Sequence, residues 1–339
     1  MIKIGINGFG RIGRAFFRIA AERPELEVVA ANDLGTLESA AYLLKYDTVY
    51  GRAPFSVDIA SERHALLVNG KEIAFTSEKE PANIPWGTLG VDIVVESTGF
   101  FTSYEKSQAH IDAGAKRVVI TAPVKEGEGG TGATVLMGIN EENFSGSKIT
   151  SNASCTTNAA SPVVRILHDA IGIEKAVLNT VHAYTASQAL VDGASKKDLR
   201  EGRAAAQNMV PSSTGAAIAV TQAITELSNK FDGISIRVPV IAGSIADITF
   251  VAQRKTSVEE VNDILRKAAG DTRWQKVFAV TEEELVSSDI IGMPHASIAD
   301  LSMTRVVDGD LVKVLAWYDN EMGYTHALVE HVIVAGKYL

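Results

Sequence analysis

The chain contains a single cysteine, Cys155, whose surroundings suit a nucleophile. It lies in the polar stretch Ser154-Cys155-Thr156-Thr157-Asn158, after an extended segment and just before residues 159–163, where a helix is expected to start. A thiol at a helix N-terminus has a lowered pKa, because the free N–H groups and the helix dipole favour the thiolate. A buried cysteine that acts as a small apolar residue is the alternative, and the polar neighbours argue against it.

His182 is a candidate partner for this thiol and lies at the end of a predicted strand over residues 176–181. An imidazole there could stabilise a thiolate as imidazolium and then accept a proton from a substrate hydroxyl. Taken alone, however, this histidine is more simply explained as a structural residue. Its pairing with Cys155 therefore stays open at this point.

A glycine-rich turn near the N-terminus has the pattern of a dinucleotide site. Gly8-Phe9-Gly10-Arg11-Ile12-Gly13 follows the predicted strand over residues 3–7 and opens an apolar helix. Glycines let the backbone approach a pyrophosphate, whose charge meets the unpaired N–H groups at the helix start. The second strand ends in Asn32-Asp33, and a carboxylate there accepts hydrogen bonds from ribose hydroxyls and repels a 2′-phosphate. The pattern predicts NAD rather than NADP, with a glycine turn that binds nothing as the alternative.

The 339 residues exceed the usual size of one hydrophobic core, so two domains are expected. Over residues 1–153, β-branched runs alternate with helical patterns, which predicts an α/β domain with a Rossmann-type parallel sheet. Its expected elements are strands over 2–6, 26–31, 91–95, 118–121 and 134–138, a helix over 12–22 and a loop over 126–132. Residues 154–320 predict an α+β catalytic domain with a mixed or antiparallel sheet. Its expected elements are helices over 156–170 and 258–269 and strands over 177–182, 234–239, 246–252 and 311–318.

Composition argues against several classes of protein. A formal net charge of -9 disfavours a surface for nucleic acid or anionic membrane, and the basic stretch Lys196–Arg200 is interpreted as a solvated or interfacial loop. One cysteine excludes an internal disulfide framework and a thiolate-rich zinc site, so no metal is expected. The absence of a leader pattern or a long apolar run leads us to expect a soluble, cytoplasmic protein.

Six segments together resemble phosphorylating glyceraldehyde-3-phosphate dehydrogenase, and they occur in that family's order from end to end. They are residues 7–13, Ser151-Asn152-Ala153-Ser154-Cys155-Thr156-Thr157-Asn158, residues 182–185, Ser213-Thr214-Gly215-Ala216-Ala217, Arg237-Val238-Pro239 and residues 317–324. The octapeptide around Cys155 is the most specific of these segments.

This resemblance implies the phosphorylating oxidation of D-glyceraldehyde 3-phosphate to 1,3-bisphosphoglycerate with NAD, an oxidoreductase reaction of glycolysis and gluconeogenesis. It implies that Cys155 forms a thiohemiacetal and then a thioester, which inorganic phosphate cleaves. His182 and the Cys155 N–H would stabilise the oxyanion. Erythrose-4-phosphate dehydrogenase, which shares the cysteine motif, is the alternative; a non-catalytic protein that has kept the fold is another.

The resemblance also assigns binding residues. The implied cofactor contacts are Gly8, Gly10, Arg11, Ile12, Gly13, Asp33, Lys79, Thr121 and Asn320, of which Asn320 would fix the nicotinamide amide. Thr185 and Arg237 would bind the substrate's own phosphate, and Ser154, Thr156, Thr214 and Gly215 the attacking phosphate. The family further implies a homotetramer in which a loop over 184–203 reaches a neighbouring subunit's cofactor. A C-terminal helix over 321–335 would return to the first domain, so that residues 321–339 complete it.

Three positions depart from the family pattern. Glu201 stands where the family commonly has an arginine near the anion sites, and Arg200 or Arg203 could compensate. Ala194-Ser195 replaces a proline-containing segment that helps to discriminate NAD from NADP, so some use of NADP stays open. Ala159 replaces a second cysteine, which leaves Cys155 without a nearby disulfide partner when it is oxidised.

Overall fold

The computed structural model describes residues 1–124, 132–195 and 198–339, and the chain divides into two compact units. Unit 1 comprises Met1–Val135, Asn140–Ala153 and Leu328–Leu339, and unit 2 comprises Leu136–Ile139 and Ser154–Ala327. The domains predicted from the sequence differ from these units in where they place residues 136–139 and 321–327. Most of the predicted loop over 126–132, and Lys196-Lys197 of the basic stretch, lie outside the described residues.

Unit 1 contains a nine-stranded sheet whose core is parallel. Its strands run in the order β10-β11-β9-β8-β1-β2-β7-β6-β5, in which only the β7-β6 and β6-β5 pairs are antiparallel. The strands are β1 (Ile2–Asn7), β2 (Leu26–Asn32), β3 (Tyr46–Asp47), β4 (Gly51–Arg52), β5 (Val57–Ala60), β6 (Ala65–Val68), β7 (Lys71–Thr76), β8 (Ile93–Glu96), β9 (Arg117–Ile120), β10 (Gly132–Thr134) and β11 (Ile149–Ser151). The helices are α1 (Arg11–Ala20), α2 (Leu37–Lys45) and α3 (Tyr104–Asp112). Strands β3 and β4 pair only with each other.

Unit 2 contains a seven-stranded mixed sheet in the order β13-β14-β12-β15-β18-β17-β16. The strands are β12 (Ile173–Ala183), β13 (Val210–Ser213), β14 (Phe231–Val238), β15 (Ser244–Ala252), β16 (Phe278–Thr281), β17 (Ser297–Val307) and β18 (Leu311–Tyr318). The helices are α4 (Cys155–Ile171), α5 (Ala216–Ala223), α6 (Val258–Ala269) and α7 (Met322–Ala335), of which α7 contributes to both units. The predicted α/β fold class, with a parallel-rich sheet in one unit and a mixed sheet in the other, is confirmed.

Strands in the core of each sheet were predicted well because they are continuous apolar runs, such as Ile93-Val94-Val95 in β8, which is fully buried. The antiparallel edge, β5 to β7, was missed. Its signal was present in the sequence, since Asn69-Gly70 between β6 and β7 is a two-residue hairpin turn in which both residues have positive φ.

The predicted strand over 134–138 was wrong in extent, because β10 ends at Thr134. Gly138 has a φ of +79°, and a Cβ on it would approach the Trp274 ring to 2.9 Å. The backbone therefore turns here against a bulky side chain of unit 2 instead of continuing in a strand.

Among the residues that the structure describes, no helix combines the length and apolar character needed to cross a membrane.

Candidate active site

Cys155 is the first residue of α4, as the sequence suggested. Ser154 caps this helix: its Oγ accepts a hydrogen bond from the Thr157 N–H at 3.1 Å, while its carbonyl accepts one from the Asn158 side chain at 2.9 Å. The preceding residue, Ala153, has a φ of +53°, a region that costs energy for a residue with a Cβ. A polar cap and a strained turn thus set the direction in which the Cys155 thiol leaves the backbone.

The Cys155 thiol contacts the imidazole of His182, a pairing that the sequence left undecided. Cys155 Sγ lies 3.4 Å from His182 Nε2, within hydrogen-bonding distance for sulfur. His182 is 3 % exposed, and Cys155 is half-buried. The structure therefore brings together the two predicted catalytic side chains, 27 residues apart in the chain.

Arg237 joins this pair because of the register of the unit 2 sheet. Strands β12 and β14 are parallel neighbours, and His182 lies directly opposite Arg237. The Arg237 Nη1 is 2.7 Å from His182 Nδ1, and its Nε is buried without a hydrogen-bond partner in the described part of the chain. A guanidinium with an unused donor is suited to an oxyanion.

The electrostatics of the free site differ from the expectation of a lowered thiol pKa. Burial raises the pKa of the Cys155 thiol, while Arg237 and hydrogen bonds from Thr156 act in the opposite direction. Burial, followed by the charge of Arg237, lowers the pKa of His182 to about 3. Desolvation therefore opposes both charges of a thiolate–imidazolium pair, while Arg237 favours the thiolate.

Tyr318 was missed in the sequence as a residue of this site. Its hydroxyl bridges Thr156 Oγ1 at 2.9 Å and Thr180 Oγ1 at 2.7 Å, and its ring packs edge-on against His182 with centroids 5.9 Å apart. Burial raises the pKa of Tyr318, which keeps the hydroxyl protonated. Its position two residues before Asn320, in the Trp317–Tyr324 segment, was the only available signal.

The predicted anion-binding residues differ in their burial and in the hydrogen bonds that they already make. The Thr156 hydroxyl is buried and held by Tyr318, and the Ser154 hydroxyl is used in capping α4. The Thr185 hydroxyl contacts Ser187 Oγ at 3.1 Å. Thr214 Oγ1 accepts a hydrogen bond from the Ala216 N–H at the start of α5, where Gly215 is the exposed N-cap residue.

Asn320 is 6 % exposed and its side-chain amide has a fixed orientation. Its Oδ1 accepts hydrogen bonds from the Gly243 N–H at 3.1 Å and from the Ser244 hydroxyl at 3.2 Å. Both partners belong to the turn and first residue of β15, so the sheet positions this amide.

Glu201 is half-buried and lines a cleft of about 350 Å³ with Gln188 and Ser195. The two arginines suggested as compensating cations are paired within their own loop, Arg200 with Asp198 at 3.1 Å and Arg203 with Asp192 at 2.8 Å. These pairs are largely exposed, and among the described residues no contact directs either guanidinium to the Cys155–His182 pair.

The glycine turn in unit 1 has the geometry of a dinucleotide site. Gly8 has a φ of +92°, and a Cβ on Gly13 would lie 2.1 Å from the Gly8 carbonyl oxygen, so both positions require glycine. A Cβ on Gly10 would meet nothing within 4 Å, which leaves the space before the start of α1 open. The turn borders a cleft of about 390 Å³ that Asp33, Lys79 and the exposed Phe100 also line.

A buried polar network that the sequence did not reveal holds this turn in place. Glu96 is 2 % exposed and accepts hydrogen bonds from Asn7 Nδ2 at 2.6 Å and His110 Nε2 at 2.9 Å. Asn7 in turn accepts one from Asn32, whose own amide oxygen is bonded by the Glu78 N–H. The network therefore fixes the ends of β1, β2 and β8 and the segment before Lys79.

The remaining predicted cofactor residues lie at this edge of the unit 1 sheet. Asp33 accepts hydrogen bonds from the Phe9 and Gly35 N–H groups, which ties its carboxylate to the glycine turn. Arg11 is the first residue of α1, but its side chain is paired with Asp47 at 2.6 Å, which leaves its main chain as the group nearest the turn. Ile12 follows it in α1, and Thr121 comes directly after β9.

Comparison with known proteins agrees with this geometry. Residues 2–104 match the glyceraldehyde 3-phosphate dehydrogenase NAD-binding domain and residues 154–320 match the C-terminal domain of the same family. The chain is 46 % identical over 336 residues to glyceraldehyde-3-phosphate dehydrogenase 1 of Kluyveromyces lactis, covering 98 % of this chain and 100 % of the relative. It is 45 % identical over 341 residues to the Streptomyces coelicolor enzyme, covering 100 % and 99 %, and 45 % identical over 331 residues to the Geobacillus stearothermophilus enzyme, covering 97 % and 96 %.

The dinucleotide turn on a parallel sheet and the relatives together define an NAD-dependent oxidoreductase, with a cysteine–histidine pair on its mixed-sheet unit. The matched domains and near-full-length relatives place the chain more narrowly. It belongs to the glyceraldehyde-3-phosphate dehydrogenase family, and the erythrose 4-phosphate alternative is not favoured.

Proposed function

We propose that the chain catalyses the phosphorylating oxidation of D-glyceraldehyde 3-phosphate to 1,3-bisphosphoglycerate, with NAD as the hydride acceptor. The observation that carries this proposal is the contact of Cys155 Sγ with His182 Nε2 at 3.4 Å, beside Arg237, in a chain of this family. Residues 1–153 with 321–339 form the NAD-binding domain in this proposal, and residues 154–320 form the catalytic domain.

The turn in unit 1 fits NAD. The open space at Gly10 admits a pyrophosphate to the start of α1, and the Asp33 carboxylate faces ribose hydroxyls at the end of β2. Gly8 and Gly13 shape the turn, and Ile12, Lys79 and Thr121 line the adenosine side together with the main chain of Arg11. Asn320, whose oxygen is already bonded by Gly243 and Ser244, offers its NH₂ group to the nicotinamide amide.

Attack of Cys155 Sγ on the aldehyde carbon gives a thiohemiacetal, because His182 takes the thiol proton and passes it to the former carbonyl oxygen, which becomes the hydroxyl. His182 then removes the hydroxyl proton as the hydride leaves the same carbon, which yields a thioester on Cys155. The N–H of Cys155 and His182 stabilise the oxygen while it carries negative charge, an effect worth on the order of 3 kcal/mol per donor. Bound NAD supplies the hydride acceptor.

Inorganic phosphate attacks the thioester carbon, which releases the acyl phosphate and returns Cys155 as a thiolate that regains its proton. Arg237 and Thr185 bind the substrate's phosphate group, and the α5 N-terminus at Thr214 and Gly215 binds the attacking phosphate with Ser154. Thr156 supports this subsite through its bond to Tyr318, because its hydroxyl is buried. Arg237 is the cation that supports anion binding most directly, since it lies beside the Cys155–His182 pair.

The chain acts as a homo-oligomer, a tetramer by family resemblance, in which the loop over 184–203 reaches a neighbouring subunit's cofactor. One face of the unit 2 sheet supports association: Val177, Ile234 and Leu311 project from it and are 59 %, 52 % and 42 % exposed. The opposite face is buried beneath α4 and α6. A second copy of this chain is the partner proposed for the exposed face. Cytoplasmic glycolysis and gluconeogenesis are the proposed setting.

The test is the formation of NADH followed by absorbance, with D-glyceraldehyde 3-phosphate and NAD in the presence and absence of inorganic phosphate. We expect continuous turnover only with phosphate, and a burst of at most one NADH per Cys155 without it. Parallel reactions contain erythrose 4-phosphate or NADP, and Cys155→Ser serves as the inactive control. Turnover without phosphate, or faster turnover with erythrose 4-phosphate, would contradict the proposal.

A further inference from the structure

Glu96, the last residue of β8, is a buried acid whose two carboxylate oxygens are both surrounded by donors. Its Oε1 accepts hydrogen bonds from the Thr98 N–H at 2.9 Å and from the Thr98 hydroxyl. Its Oε2 accepts them from Asn7 Nδ2 at 2.6 Å and from His110 Nε2 at 2.9 Å. Four donors match the full acceptor capacity of an ionised carboxylate, so this environment satisfies Glu96 as an anion.

His110 does not supply a compensating positive charge. The indole Nε1 of Trp86 can only donate, and it lies 2.9 Å from His110 Nδ1, so Nδ1 presents a lone pair. The ring proton is then on Nε2, where it is donated to Glu96, and the imidazole is neutral. Within residues 1–124, 132–195 and 198–339, no lysine or arginine contacts Glu96. The network therefore holds a net negative charge away from solvent.

A backbone donor fixes the direction of the remaining bonds. The Glu78 N–H donates to Asn32 Oδ1, so Asn32 presents its NH₂ group to Asn7 Oδ1 at 2.8 Å. Asn7 must then present its own NH₂ group to Glu96. The carboxylate is thus an acceptor in a chain of bonds that cannot reverse.

The topology of the unit 1 sheet places this anion on the nicotinamide side of the cofactor site. Strand β1 has β2 on one side and β8 on the other, and a dinucleotide crosses a Rossmann-type sheet where the strand order reverses in this way. Asp33, directly after β2, belongs to the adenosine side, so the nicotinamide half extends past β1 towards the end of β8. Asn7 and Thr98, which both bond to Glu96, line the cleft at this point.

We infer that Glu96 makes the site discriminate between the two redox states of the cofactor, in favour of NAD over NADH. The inference rests on the proposed assignment of this cleft to the cofactor. The nicotinamide ring carries a positive charge in NAD and none in NADH, and the pyrophosphate is the same in both. A buried anion therefore stabilises NAD relative to NADH, and burial limits the screening of this interaction. Glu96 needs no contact with the cofactor to act in this way.

The other charges at this cleft are less suited to the same role. Glu78, Lys79 and Glu80 line it but are exposed to solvent, where their fields are strongly screened. Asp33 is half-buried and lies on the adenosine side. The preference that Glu96 creates has two consequences for the reaction: bound NAD accepts a hydride less readily, and NADH leaves the site more readily once it has formed.

The test is calorimetric titration of the full chain, freed of bound nucleotide, with NAD and with NADH in the absence of aldehyde. The measured quantity is the ratio of the dissociation constant for NADH to that for NAD. Glu96→Gln removes the charge, and its amide oxygen can still accept from Asn7 and His110. We expect this variant to lower the ratio by about threefold or more. A change in repulsion of the pyrophosphate affects both constants equally and cancels from the ratio.

His110→Gln is the matched control, because it alters the same network but keeps the carboxylate, and it should leave the ratio unchanged. The double variant Glu96→Gln with Asn7→Asp returns a carboxylate to the network, so the ratio should move back towards that of the unmodified chain. Glu96→Met is a second neutral variant that decides the question if Glu96→Gln does not fold, since its apolar side chain presents no donor to the Thr98 N–H.

The inference fails if a folded neutral variant keeps the ratio of the unmodified chain, or if His110→Gln lowers the ratio to the same extent. It can fail without the proposed function: phosphate-dependent turnover together with an unchanged ratio in Glu96→Gln would remove only the role of Glu96. If the unmodified chain bound neither nucleotide, the assignment of the cleft and the proposed function would both be wrong.

Discussion

At the scale of single residues, burial and not sequence neighbourhood sets the chemistry of the site. The start of α4 favours a thiolate, yet desolvation raises the pKa of Cys155 and lowers that of His182 to about 3. Burial thus opposes charge on both members of the pair, while Arg237 and Thr156 favour the thiolate form of Cys155.

A second buried histidine gives a prediction about stability and pH. His331 is fully buried in unit 1, bonded through Nε2 to Thr150 Oγ1 at 2.7 Å, and burial lowers its pKa to about 3. In the unfolded chain a histidine has a pKa near 6.5. Between about pH 6.5 and 3 the imidazole is therefore protonated in the unfolded state but neutral in the folded state. Its contribution to stability is present above pH 6.5 and is lost by about 1.4 kcal/mol per pH unit as the pH falls.

Urea unfolding at pH 7.5, 6.0 and 5.5 and at one protein concentration checks this expectation. His331→Gln, which can keep a bond to Thr150, should lower the slope of stability against pH in this window. His64→Gln is the control, because His64 is an exposed residue and its replacement should leave the slope unchanged. Equal slopes in the unmodified chain and in His331→Gln would contradict the assignment of this histidine as buried and neutral.

At the scale of elements, two local geometries prepare the site. The parallel register of β12 and β14 places His182 opposite Arg237. Helix α1 begins after Gly10, which makes no side-chain cap and has open space where a Cβ would lie. In both cases the element fixes the backbone. The Arg237 side chain then determines what binds beside His182, and the lack of a side chain at Gly10 determines what can approach α1. The glycine turn shows this most directly, because Gly10 and Gly13 meet different physical requirements.

The variants Gly10→Ala and Gly13→Ala distinguish a requirement for NAD binding from a requirement for stability. A Cβ at position 13 would clash with the Gly8 carbonyl oxygen, so we expect a loss of roughly 1–3 kcal/mol of stability without NAD. A Cβ at position 10 meets nothing and Gly10 has an ordinary φ of -73°, so the cost should stay below about 1 kcal/mol. It would occupy the space of a pyrophosphate, however, and we expect NAD affinity to fall by about tenfold or more.

Thermal unfolding without NAD and calorimetric titration with NAD measure the two effects. The decisive pattern is the contrast between the variants: stability lost in Gly13→Ala, and affinity lost with stability kept in Gly10→Ala. If Gly10→Ala bound NAD as tightly as the unmodified chain, the assignment of this turn to the pyrophosphate would be wrong.

At the scale of the whole molecule, one face of the unit 2 sheet stays open in the single chain. An antiparallel sheet that faces water normally places polar residues there, whereas Val177, Ile234 and Leu311 are apolar and exposed. The face is not wholly apolar, since Lys313 and Asp247 form a 2.6 Å ion pair on it. Apolar side chains with an embedded ion pair are suited to a specific contact between identical subunits.

Val177→Asp tests this contact. Burying an unpaired carboxylate in an interface is costly, so the variant should sediment as smaller species than the unmodified chain at the same micromolar concentration. Val286→Asp is the matched control, because Val286 is 58 % exposed but lies outside the sheet face, and it should sediment like the unmodified chain. Identical sedimentation of Val177→Asp and the unmodified chain would exclude this face as the interface.

The sequence by itself determined the features that depend on local pattern. Glycines at 8, 10 and 13 after a strand predicted the dinucleotide turn, and continuous apolar runs predicted the parallel strands. The peptide around Cys155 pointed to the family, because its eight consecutive residues hold the capping serine, the cysteine and the first turn of α4. These features can be predicted from the sequence because the residues that form them are neighbours both in the chain and in space.

Only the tertiary structure decided which distant side chains meet and what charge they carry. His182, Arg237 and Tyr318 converge because three strands of one sheet bring them together, and no spacing in the chain encodes that register. The network of Glu96, His110, Asn7 and Asn32 was invisible for the same reason. Desolvation depends on every atom packed around a group, so the raised pKa of Cys155 could follow only from the folded chain.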